Sequence, residues 1–167
     1  MKSTSLLFIF GLSLNFSSSE FNKFQFGEVD YTTSHGYYES YGSDDSGASV
    51  NYDIHLMSVA KESMHERFDY VLLDLNSDDS GEVAIGNYSY SDTENKNIES
   101  FTFNSASVLI NYDANSYSGD VYFAIDGKLE IGKNGEKYTL EYELLLENGK
   151  VVTGFYEGNL MPWDQGI

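Results

Sequence analysis

Two copies of one short acidic string carry the first residues capable of chemistry. Ser43-Asp44-Asp45-Ser46-Gly47 recurs as Ser77-Asp78-Asp79-Ser80-Gly81. Calcium needs several oxygen ligands converging on one point. Asp44, Asp45, Asp78 and Asp79 are the candidates to supply them, with Asp113, Asp120 and Asp126 elsewhere in the chain. The spacing of an EF-hand calcium loop is absent, and so is a Gly-Gly-x-Gly-x-Asp repeat. Adjacent aspartates in a turn also tend to point apart. Weak calcium binding is therefore the most that these turns predict, and no cofactor is expected. Each copy precedes a strand holding Asn-Tyr, at Asn51-Tyr52 and Asn87-Tyr88. That pattern fits a duplicated hairpin, and it fits two turns alike only in composition.

A second group is aromatic. Tyr37, Tyr38 and Tyr41 cluster within five residues, in a stretch punctuated by Gly36 and Gly42. Exposed tyrosines stack on sugar rings or anchor a protein partner, so these three are the candidate ligand-binding residues. The alternative is that tyrosine fills half-buried sheet positions in this fold.

Other chemistries lack their parts. His35, His55 and His65 form no His-Glu-x-x-His pair, and no Gly-x-Ser-x-Gly turn presents a nucleophilic serine. Glycosidase chemistry needs two opposed carboxylates at a fixed separation, and Glu141 and Glu143, on one strand face, are the pair that draws notice. With 27 acidic residues, however, some pair meets almost any distance. The absence of cysteine removes disulfides, thiolate metal sites and thiol nucleophiles. No catalytic residue is assigned.

Charge narrows the partners. Nine Lys and Arg stand against 27 Asp and Glu, a formal net charge of -18. Binding to nucleic acid needs cations over phosphates, so a nucleic-acid partner is not expected. The field favours cations and basic peptides.

These groups must be positioned by strands. Val50, Tyr52, Ile54 and Leu56 alternate with Asn51, Asp53 and His55, a period of two with one face buried. Val71, Leu73 and Leu75 face one way and Tyr70 and Leu72 the other. The segment from Ala60 to Arg67 reads as a connecting loop or a single helical turn. Val83 to Tyr90, a short piece from Phe101, and Val108 to Tyr112 follow as strands. Val121, Phe123, Ile125, Leu129 and Ile131 read as one long strand or a tight pair. Of two hairpin candidates, Asp126-Gly127 and Asn134-Gly135, the second is favoured by the alternation from Tyr138 to Leu146. Asn148-Gly149 is the cleanest turn, leading into Val151 to Gly158. Trp163, beyond the last strand, is expected to pack over one end of the core.

The sum is a single all-β domain over residues 20–167, an antiparallel β-sandwich or a closed or partly closed barrel of eight to ten strands. Residues 1–19 read as a signal peptide: Met1-Lys2, an apolar run from Leu6 to Leu14, then Ser17-Ser18-Ser19. No later segment is apolar for long enough to span a bilayer. The predicted location is periplasmic or secreted.

A resemblance runs through the same strands. Gly127-Lys128-Leu129, Tyr138, Leu140, Tyr142, Asn148-Gly149-Lys150, Gly154, Tyr156 and Gly158-Asn159-Leu160 resemble the terminal strands of small exported β-proteins common in the Bacteroidetes. Asn51 to Leu56 and Gly86 to Tyr90 resemble the same group. Those proteins are often predicted lipoproteins with a β-sandwich or lipocalin-like barrel. They carry a cysteine after the leader, where this chain has serines, so the resemblance implies a form without a lipid anchor. The function it implies is a noncatalytic binding or structural domain of the envelope or medium, with a protein or glycan partner. The alternatives are a lipocalin-like carrier of a small apolar ligand and, lower, a carbohydrate-active enzyme or accessory domain.

Overall fold

The period-two stretches become strands, and the strands join into one sheet. The computed structural model describes residues 22–43, 49–78, 81–91 and 99–163. The leader read at residues 1–19 lies outside them. Among the described residues eleven strands form: β1 (Lys23–Phe26), β2 (Val29–Thr32), β3 (His35–Ser43), β4 (Val50–Met57), β5 (Phe68–Ser77), β6 (Gly86–Tyr90), β7 (Thr102–Asp113), β8 (Ser118–Asn134), β9 (Lys137–Leu146), β10 (Val151–Gly158) and β11 (Leu160–Pro162). Lys61–Ser63 is a single 3-10 turn in the connection read as a loop or helical turn.

The strand order is β11-β3-β4-β5-β7-β6-β8-β9-β10-β1-β2, with β7 and β8 also paired. The sheet curls into a half-barrel. At its seam the Tyr156 ring lies against the inner side of Gly36, where a Cβ would sit 2.5 Å from the ring. The count exceeds eight to ten because β2 and β11 are edge strands of four and three residues, too short to show a period. Pro162 is tolerated in β11 because an edge strand leaves one side of its backbone unpaired.

Two pairings depart from the antiparallel expectation. β11 runs parallel to β3, and β6 runs parallel to β7 through Ser89–Thr102 and Tyr90–Phe103. β6 is a wedge. Near the β7–β8 turn, β8 pairs with β7, as in Val121–Leu109 and Phe123–Ser107. Farther on it pairs with β6, as in Leu129–Tyr88 and Ile131–Gly86. The change of partner coincides with a bulge in β8 between Ala124 and Asp126. An extra residue there reverses which parity faces inward. Leu129 and Ile131 are buried, whereas Val121, Phe123 and Ile125 are exposed.

The hairpins follow their sequences. β8 turns into β9 beside Asn134–Gly135, with Asn134 opposite Lys137. Asp126-Gly127, the rejected hairpin, runs straight on after the bulge, in register with Leu145 and Leu144 of β9. At the β9–β10 turn the Gly149 N–H donates to the Leu146 carbonyl at 2.8 Å with φ +77, a left-handed geometry suited to glycine.

The concave side holds the core. Phe24, Ile54, Leu56, Leu73, Phe103 and Leu144 are fully buried there. Each such side chain contributes about 1.5–3 kcal/mol through its removal from water. Gly154 is glycine for close approach: Tyr142 stands directly opposite, and its ring occupies the place of a Cβ. At the far end of β5, Ser77 accepts the Ala84 N–H at 2.9 Å and its hydroxyl meets that of Tyr88 at 3.2 Å. Tyr88 in turn donates to the Ala84 carbonyl at 2.9 Å. The chain before β6, read as strand from Val83, is therefore held by side chains, and β6 begins only at Gly86.

Candidate functional site

The densest group of perturbed ionisable side chains sits on the outer face of β3, β4 and β5. In β4 the inward parity belongs to Val50, Tyr52, Ile54 and Leu56, which sends Asn51, Asp53 and His55 outward. Register places Glu39 opposite Asp53, and Asp53 opposite Asp74. Three carboxylates thus stand in one row across three strands, an arrangement in which like charges repel.

Tyr41 reaches over that row. A bulge between Ser40 and Gly42 puts it beside the ladder, and its hydroxyl lies 3.0 Å from Glu39 Oε2 and 3.1 Å from Asp53 Oδ2. A phenol has one proton and can donate to one carboxylate. Glu39 and Asp53 thus share one phenolic proton between them. Burial, then the Asp74 and Glu39 charges, push Asp53 up to about 6 despite the Tyr41 hydrogen bond. Burial also raises Asp74, opposed by the Asn51 amide that donates to it.

An aromatic group adjoins the row. His55 is 6% exposed. Its Nδ1 meets the Tyr70 hydroxyl at 2.6 Å, and its Nε2 is buried with no hydrogen-bond partner. The ring stacks on Trp163 with centroids 4.4 Å apart and 17° between planes. Burial, opposed by the Glu39 charge, lowers His55 to about 4, so the imidazole is neutral at physiological pH. Tyr37 meets Trp163 edge-on at 5.3 Å. Trp163 is anchored by its N–H to the Tyr38 carbonyl at 2.7 Å. Tyr37, Met57 and Phe68 form a small second core here, with Trp163 packed on it.

The three candidate tyrosines go to three different places. Tyr37 is 2% exposed beneath Trp163, Tyr38 faces inward against Tyr52, and Tyr41, at 57% exposed, covers the acid row. They do not form one exposed platform, because alternation along β3 sends neighbours to opposite faces. Asp44, Asp45 and Asp79 lie outside the described residues. Asp78 follows the last residue of β5, and its buried Oδ1 has no hydrogen-bond partner. Among the described residues no group of three or more His, Asp or Glu is placed to hold a metal ion.

Glu141 and Glu143 lie on a different part of the outer face. They line an open groove of about 570 Å³ over β6, β8, β9 and β10, with Glu130 and Lys128. Glu141 stands opposite Glu130, and Glu143 pairs with Lys128 at 3.4 Å.

Sequence reasoning missed Glu39, Asp53 and Asp74 as a group. Each occupies the polar parity of its strand, but only the register brings the three into line. No family model, curated protein or solved structure matches this chain. Among the described residues no helix is long and apolar enough to cross a membrane. What the fold and these groups define is an all-β half-barrel without a metal cluster among the described residues and without cysteine.

Proposed function

We propose that this protein is a noncatalytic binding domain of the periplasm or the extracellular medium, working through the outer face of its half-barrel. One observation carries the reading. Among the described residues, buried apolar side chains pack the concave side, while the shifted acids, the Trp163 stack and the open groove all lie on the convex side. The concave side of a carrier would instead be a ligand cavity. The acid row supports binding rather than turnover, because its carboxylates stand side by side along a ladder. A glycosidase would hold two across a cleft. The resemblance of the terminal strands to small exported β-proteins supports the location, and the charge of -18 supports a cationic partner.

Native mass spectrometry of protein purified from its own host, with and without EDTA, tests this. The expected species is the polypeptide without a retained apolar molecule, with unchanged thermal stability after EDTA. A co-purifying apolar ligand would overturn the reading in favour of a carrier. A metal lost to EDTA together with stability would make the acidic turns the functional site.

A further inference from the structure

The bulge in β8 does more than change strand partners. It turns three large apolar residues outward, Val121, Phe123 and Ile125, the last two 52% exposed. Register extends them into a band. Val121 adjoins Leu109 of β7, and beyond the bulge Asp126 adjoins Leu145 of β9, which adjoins the exposed Val151 of β10. A contiguous exposed apolar surface of this kind marks an interaction site.

The carboxylate groove begins where the band ends. A hollow of about 360 Å³ lined by Asp126, Leu145 and Val151 shares Lys128 and Glu143 with the larger groove. The trough thus runs from an apolar end to an acidic end. Its only lysine pairs with Glu143, and Glu130 and Glu141 face each other with no cation paired to either among the described residues. An incoming cation would relieve that repulsion. A second copy of this chain is the wrong occupant, because two chains of charge -18 repel.

We propose that this trough docks a segment of a partner protein carrying lysine or arginine next to large apolar side chains. The cations take the Glu130–Glu141 end, and the apolar residues cover Phe123, Ile125 and Val151. This rests on the binding reading above and names the partner's chemistry. Ile125 to Glu130 spans about 17 Å at roughly 3.3 Å per residue, so a short extended segment reaches both ends.

The test uses the full chain and two synthetic peptides, in about 0.15 M salt to suppress long-range attraction. One peptide has a Lys-Arg-Lys head followed by Leu-Phe-Leu. The other replaces the apolar half with serines. The first is expected to bind about tenfold more tightly than the second. Glu130→Gln with Glu141→Gln, and separately Phe123→Ser, should each weaken it about tenfold. Glu28→Gln with Glu136→Gln removes the same charge at exposed turns and should leave affinity within about twofold. All these positions are exposed, and denaturation curves verify that each variant is folded. Equal affinity for both peptides, or equal losses in the trough and control variants, would overturn the docking site while leaving the binding reading intact. A dimer in sedimentation that Phe123→Ser dissolves would overturn it in favour of self-association.

Discussion

Asp53→Asn removes one charge from the middle of the Glu39–Asp53–Asp74 row and keeps the side chain's shape. Asp53 titrates at about 6 in the fold against 3.8 in its absence. The folded chain therefore binds more protons than the unfolded chain between those values, and stability falls as pH rises through that window. Two pH units correspond to a ceiling of about 3 kcal/mol. Asp53 is only half-buried, and solvent screening reduces the expected effect to about 1 kcal/mol. Asparagine cannot ionise, so the variant escapes the loss. Near neutral pH it should be more stable than the parent by about 1 kcal/mol, with the advantage fading as pH falls from 6 to 4. Urea unfolding of both proteins across that range measures the gap. Comparing the two also removes the opposing effect of His55. Its lowered pKa makes stability rise with pH between about 4 and 6.5. A variant less stable at neutral pH, or a gap independent of pH, would refute the shared-proton account of Tyr41 and its two carboxylates.

Trp163 is the only tryptophan, so its emission reports on His55 alone among the histidines in contact with it. Quenching by the protonated imidazole should set in with a midpoint of about 4; a midpoint near 6.5 would mean that His55 is solvated. Gly154→Ala places a Cβ 2.1 Å from the Tyr142 ring, and should cost about 1–3 kcal/mol in chemical denaturation; a neutral effect would mean that Tyr142 swings aside freely. Leu73→Ala empties a fully buried core position and should cost about 3 kcal/mol with an unchanged denaturant slope. A loss under about 1 kcal/mol would show that the concave side is loosely filled.

The fold was legible wherever one face of a strand is buried and the other is wet. The β4 alternation from Val50 to Leu56 and the Tyr138–Leu146 run in β9 read directly, because burial imposes a period of two on residue type. β8 did not read fully. Val121, Phe123 and Ile125 look like core residues by type, and a single inserted residue that no composition reveals turns them outward. Tyr37 to Tyr41 shows no clean period because both faces of β3 are partly covered, one by the core and the other by Trp163, which erases the alternation. Asp53 was visible as a polar-face residue. Its partnership with Glu39 and Asp74 depends on the register of β3, β4 and β5, and no local pattern carries that.

The wiring of the sheet has a consequence for how the chain is made. β1 takes one neighbour, β2, from nearby, but its other is β10, with Lys23 against Phe155. One edge of β3 is covered by β11, with Gly36 against Leu160. The earliest strands to leave the ribosome thus wait for the latest, and pairings this distant in sequence form slowly. The half-barrel cannot close until synthesis has passed Pro162. Before that point the chain is a set of hairpins with open edges, exposed to aggregation. It is also still threadable, the condition that a polypeptide must meet to cross a membrane unfolded.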